Sequence, residues 1–165
     1  MSIKNEESLA KPGQYLTFVL SQQLYGVPIG AVREINRMSE ITPVPKTPVY
    51  VAGVMNLRGK VIPVINLRTK LNFASMAATK ETCIIVIEAF DGQVGMIVDS
   101  VSGVIELATS QIEPTPNLGN LVDTEFVLGM GKMENKVIVL IDIVKVLSNH
   151  QIGDLKEADI TAIAN

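Results

Sequence analysis

One cysteine, one histidine and a scatter of carboxylates make up the chain's stock of thiol, imidazole and acid chemistry. Cys83 opens the apolar run Cys83-Ile84-Ile85-Val86-Ile87 and reads as a buried, reduced thiol, with no second cysteine for a disulfide framework or a thiolate metal site. His150 lies in Leu147-Ser148-Asn149-His150-Gln151, away from any Cys or acidic cluster at ligand spacing, and reads as an exposed residue rather than a base or ligand. Asp91, Asp99, Glu106 and Glu113 are spread along strand-and-turn sequence, so their spacing pairs no general acid with a base. Gly53, Gly59, Gly129 and Gly131 fall at strand ends or turns and assemble no phosphate-binding loop. No enzyme, metal or cofactor is expected from this inventory.

An arginine is what remains. The segment YVAGVMNLRGKVIPVINLRTKL, Tyr50 to Leu71, aligns without gaps on FVLGMGKMENKVIVLIDIVKVL, Phe126 to Leu147. Identities fall at Val51/Val127, Gly53/Gly129, Lys60/Lys136, Val61/Val137, Ile62/Ile138, Ile65/Ile141 and Leu71/Leu147. The copies part at Asn56-Leu57-Arg58-Gly59, which faces Lys132-Met133-Glu134-Asn135. A guanidinium there can make paired hydrogen bonds while its stem packs on apolar surface, which suits a polar anchor for a partner. It is equally what a solvated or internally paired turn arginine would look like. Replacement by Glu134 favours the anchor, because a group that merely held one fold unit together would be needed in both.

The elements around it read as β. Tyr15 to Leu20 and Leu24 to Ile29 are strands about the turn Ser21-Gln22-Gln23, and Gly30 to Ile35 is a helical turn or an irregular strand entry. Thr42 to Pro48 holds Pro43, Pro45 and Pro48, which remove donors and make it a connecting loop. Gly53 to Met55 and Lys60 to Ile65 flank the arginine turn, where Gly59 is free to take positive φ. The order returns with Cys83 to Ala89, the turn Asp91-Gly92 and Val94 to Val98; Gly26 corresponds to Gly95, Val32 to Val101 and Ile35 to Val104, and Pro114 and Pro116 mark the second proline loop. A repeat of about 70 residues with ~5 short strands argues for paired small barrels rather than a solenoid. The expected division is a leader at 1–13, repeats at 14–80 and 81–148 joined through Asn72 to Glu81, and a tail at 149–165. Helix is limited to a turn at Asn66 to Lys70, a longer one from Asp142 to His150 and a helix-compatible tail.

A length of 165 residues with 47% hydrophobic composition suffices for a packed core. Net charge of -3 and no basic run provide no field for nucleic-acid phosphates. The polar first residues lack a signal peptide's apolar middle, and no apolar run approaches a membrane span, so the expected compartment is the cytoplasm. Val54, Leu57, Val61, Val64, Val98, Val101, Val104, Met130 and Met133 exceed what two tiny interiors need. A seam between barrels absorbs most of them, and the remainder is available to partner-facing grooves.

Gly53 to Arg68, GVMNLRGKVIPVINLR, closely resembles the signature of the CheW family of bacterial chemotaxis coupling proteins, and Val94 to Val104, VGMIVDSVSGV, resembles that family's second recurrent segment. The likeness spans nearly all of Gln14 to Ser148. It implies a mainly β fold of two intertwined five-stranded SH3-like barrels, with strands exchanged between them. It further implies a non-enzymatic adaptor joining the cytoplasmic tips of chemoreceptors to the histidine kinase CheA, recruited to membrane-associated arrays without inserting into the membrane. The receptor tip would dock between the barrels near Val32, Glu34, Gly53, Asn56, Leu57, Arg58, Gly95, Val101 and Val104. The second-repeat barrel would meet CheA's regulatory domain, with Val127, Met130 and Met133 as contact candidates. Asn66 departs from the family's frequent aspartate, which weakens a charge-based role there. CheA's regulatory domain and the coupling module of CheV share this fold, but the length leaves no room for a kinase core or a receiver domain. A small-barrel nucleic-acid binder would need a basic face and exposed aromatics, which four Phe, three Tyr and no Trp do not favour.

Overall fold

The computed structural model describes residues 10–116 and 126–148. Strands β1 (Gly13–Leu20), β2 (Gln23–Pro28) and β3 (Val32–Arg37) come first, the last entered through a 3₁₀ turn at Ile29–Ala31. The hairpin of β4 (Val51–Leu57) and β5 (Lys60–Asn66) follows, then the single-turn helix α1 (Leu67–Lys70). The second half runs β6 (Cys83–Ala89), β7 (Gly92–Val98), β8 (Ser100–Leu107), β9 (Ile112–Glu113), β10 (Val127–Met133), β11 (Lys136–Ile141) and α2 (Ile143–Ser148). The sequence repeat is therefore a structural one. Even the helix caps match, since Asn66 Oδ1 accepts the Thr69 N–H at 3.3 Å and its counterpart Asp142 Oδ1 accepts the Lys145 N–H at 3.2 Å. That cap needs an oxygen and no charge, which accounts for asparagine at one copy and aspartate at the other.

Each sheet mixes strands from both repeats. One has the order β3-β6-β7-β5-β4 and carries the Arg58 turn; the other, β8-β1-β2-β11-β10-β9, carries Glu134. The halves thus exchange their leading hairpins, and the fold is a pair of intertwined SH3-like barrels. Thr42 closes the Arg58 barrel by exchanging backbone hydrogen bonds with Val54 at 2.8 and 2.9 Å, so the proline loop begins as a bridge. At that closure Gly53 has φ +144, and a Cβ there would lie 2.1 Å from the Thr42 carbonyl oxygen. Only glycine fits. In the Glu134 barrel β9 makes the same closure through Met130↔Glu113 and Gly131↔Ile112.

Exchange creates three apolar cores. The largest is the seam, where Leu16, Phe18 and Leu20 of β1 meet Ile85, Ile87 and Ala89 of β6, with Tyr50, Leu67 and Leu147 packed among them. The two barrel interiors are smaller, one around Met55, Ile62, Val64, Ile84 and Val86, the other around Tyr15, Leu107, Ile138 and Leu140. Strands β1 and β6 bury both faces, one on the seam and one inside a barrel, which is why they read as unbroken apolar runs. Gly26 and Gly95 sit where β2 and β7 pair in parallel with β11 and β5, in the equivalent registers Leu140↔Gly26 and Val64↔Gly95. A Cβ at either would touch a neighbouring methyl at 3.0 Å (Leu140) or 2.9 Å (Ile84).

Cys83 corrects the sequence reading. It is half-buried at the first position of β6, ahead of the buried run, and its thiol donates to the Glu81 carbonyl at 3.1 Å. The join at 72–81 is tethered as well: Phe73 packs on the seam and Arg68 donates to the Ala74 carbonyl at 2.6 Å. The expectations for His150 and for the tail helix lie outside the described residues.

Candidate functional site

The chain reverses between β4 and β5 in two residues, Arg58 (φ 53) and Gly59 (φ 85), the paired positive angles of a type I′ hairpin whose twist matches that of its strands. Asn56 Oδ1 accepts the Gly59 N–H at 2.7 Å and fixes the turn. The tip reaches β3, where the guanidinium makes a two-pronged pair with Glu34: Nη1 to Oε2 and Nη2 to Oε1, each 2.6 Å. The arginine side chain is 70% exposed and the carboxylate 22%, so Glu34 is the seated partner and Arg58 the presented one. Hydrogen bonds from Arg58 hold the Glu34 carboxyl below its ordinary range, and the adjacent positive charge adds to this against a cost from burial. The Asn36 amide, oriented to satisfy its surroundings, donates to Glu34 Oε1 at 3.2 Å. Arg58 is thus internally paired yet still offers most of its surface.

The remaining expected receptor-side residues divide by location. Asn56 and Leu57 belong to the same hairpin, and Leu57 is half-buried against the Arg58-barrel core. Val32 on β3 and its repeat counterpart Val101 on β8 each pack, partly buried, on the edge of the seam core. Val104, also on β8, is 51% exposed. Gly53 and Gly95 are buried, so each contributes through the close backbone approach described above rather than by presenting a surface. Glu34 and Arg58 are joined directly, whereas Val101 and Val104 lie on β8 in the other sheet. On the other barrel Val127, Met130 and Met133 all lie on β10 and are half-buried, Met133 against the core around Leu107 and Ile138.

Two polar features escaped the sequence reading. Arg68 of α1 forms a two-pronged pair with Asp99 at 2.8 and 3.0 Å, with side chains only 14% and 16% exposed. Asp99 also accepts the Ser21 N–H at 2.9 Å, so one carboxylate ties α1, the β1–β2 turn and the crossover from β7 to β8. Burial opposes its ionisation, but the hydrogen bonds from Arg68 and Ser21 together with the arginine charge hold it below its usual range. Lys70 is the second feature, buried with Nζ 4.1 Å from the centroid of the Tyr50 ring. The repeat held a signal for both, since Arg68 faces Val144, Lys70 faces Val146 and Tyr50 faces Phe126.

Residues 14–151 match the CheW-like domain family, which is more than half of the chain. The chain belongs to that family. It is 34% identical over 140 residues to the chemotaxis protein CheW of Klebsiella aerogenes, covering 85% of this chain and 84% of that protein. Against the chemotaxis protein CheW of Bacillus subtilis the identity is 38% over 128 residues, covering 77% and 81%. The crystal structure of the scaffolding protein TtCheW from Thermoanaerobacter tengcongensis superposes with a TM-score of 0.77 at 34% identity, over 88% of this chain and 98% of that one. The family is one of adaptors rather than enzymes, and the role of this chain is that of a chemotaxis scaffold. No helix among the described residues is long and apolar enough to cross a membrane.

Proposed function

We propose that the chain joins the cytoplasmic tips of chemoreceptors to the regulatory domain of the histidine kinase CheA, within membrane-associated arrays. The observation that carries this reading is the asymmetry of two otherwise matching hairpins. Arg58, backed by Glu34, stands exposed on one barrel, and Glu134 stands at the same place on the other. A guanidinium held by a carboxylate behind it is oriented for a partner at little further entropic cost. Leu57 and the half-buried Val32 and Val101 supply apolar area for a helical receptor tip, and exposed Val104 extends it along β8. Val127, Met130 and Met133 on β10 are the contacts proposed for the kinase, and place its docking on the barrel without the arginine.

The test is direct binding of the purified chain to a receptor signalling fragment and, separately, to the CheA regulatory domain. Arg58→Glu is expected to weaken receptor binding more than about tenfold, the loss typical of an interface anchor, with kinase binding and melting temperature unchanged. Receptor binding equal to that of the unaltered chain would overturn the assignment.

A further inference from the structure

The place where Arg58 meets Glu34 on one barrel is an open pocket on the other. The register that carries Arg58 onto Glu134 also carries Leu57 onto Met133 and Lys60 onto Lys136; the upstream spacing that carries Val32 onto Val101 carries Glu34 onto Gly103. The Glu134 barrel has therefore lost the seated carboxylate and reversed the charge of the tip. A cavity of about 250 Å³ lies there, lined by the apolar Leu24, Ile105, Met133 and Ile138, by the hydroxyl residues Thr17 and Ser102, and at its rim by Glu134 and Lys136. A Cβ built on Gly103, beside it on β8, would meet nothing within 4 Å, so no neighbour has moved in to fill the space that Glu34 takes on the other barrel.

We infer that this pocket is a second docking site, which takes a protein segment carrying a large aliphatic side chain next to an arginine. Leu24, Ile105, Met133 and Ile138 belong to the end of a barrel core and form an apolar side of the pocket fit for burying one aliphatic group. The rim argues for the arginine. Lysine is common to both barrels at this position, as Lys60 and Lys136, and among the described residues Lys136 forms no salt bridge with Glu134. What distinguishes this barrel is Glu134, a carboxylate with no guanidinium supplied among the described residues. The other barrel satisfies the same corner with an internal arginine–carboxylate pair, and here the partner brings the arginine. Met133 is shared with the contacts proposed for the kinase, but the probes below contain neither receptor nor kinase, so failure of that reading and failure of this one are read separately.

The experiment is amide chemical-shift titration of the ¹⁵N-labelled chain with N-acetyl-Arg-Leu-amide, and with N-acetyl-Glu-Leu-amide as the charge-reversed control. Saturable shifts are expected at Leu24, Ile105, Met133 and Lys136, with the arginine peptide about fivefold tighter, as for an exposed ion pair. Glu134→Arg, a substitution on an exposed turn, is expected to erase that preference while leaving the rest of the spectrum in place. The inference is overturned by shifts absent from these residues, by equal affinity for the two peptides, or by an arginine preference that survives Glu134→Arg. Shifts at the same residues that follow protein concentration without peptide would assign the pocket to a second copy of the chain and overturn it too.

Discussion

Arg58 depends on Glu34 for its direction, so the two roles of the pair can be separated. Swapping the partners, Glu34→Arg with Arg58→Glu, keeps a pair across β3 and the hairpin tip but moves the guanidinium off the tip. The swapped chain is expected to melt with the original, since an exposed ion pair contributes little to stability, and yet to bind receptor no better than Arg58→Glu alone. Recovered binding would mean that the pair, whichever way round, is what the receptor requires. Lys70 is a different residue-scale case. Burial lowers its ammonium from 10.5 to about 8. An unfolded lysine keeps its proton up to the higher value, so between these limits the unfolded chain binds the extra proton and stability rises with pH. Melting temperatures followed from pH 8 upward should show that rise, and Lys70→Met should lack it.

At the scale of elements, the duplicated hairpin was legible because β4-β5-α1 and β10-β11-α2 keep one apolar pattern and one cap position. The Arg58 turn stood out as the break in that pattern. What could not be read was the company each residue keeps in the folded barrels. Glu34 and Arg58 are far apart in sequence and meet only because β3 and the β4–β5 tip share a barrel. Cys83 looked buried because an apolar run does not show that the first position of its strand is only partly covered. The glycines make a sharper element-scale test. Gly53→Ala confronts the Thr42 backbone and a positive φ together and is expected to cost more than about 3 kcal/mol. Gly95→Ala meets the Cγ2 methyl of Ile84 at 2.9 Å, a side-chain rather than a backbone contact and without a positive φ, and should cost about 1–3 kcal/mol. Denaturant unfolding of the two variants checks the order, and equal costs would refute the account of the Gly53 closure.

For the whole molecule, exchange makes the seam the main core, so the barrels should unfold together. Asp99 stands at the crossover and ties α1 to the β1–β2 turn. Asp99→Asn is expected to cost about 1–3 kcal/mol, as for a partly buried charged group that loses its partner's full bond, with one cooperative transition retained. Because the Asp99 carboxyl is held below its ordinary 3.8, its contribution is complete above that pH and disappears as the pH falls through the lower folded value. Acid unfolding should accordingly be shallower in the variant than in the unaltered chain. The same exchange puts the Arg58 tip and the Glu134 tip in separate sheets that share the seam core. The most direct test is reconstitution of purified receptor fragment, kinase CheA and this chain, with kinase phosphorylation as the readout. The account predicts that the receptor controls phosphorylation only when the chain is added, and that Arg58→Glu abolishes this control. Equal receptor control without the chain, or with Arg58→Glu in its place, would contradict it.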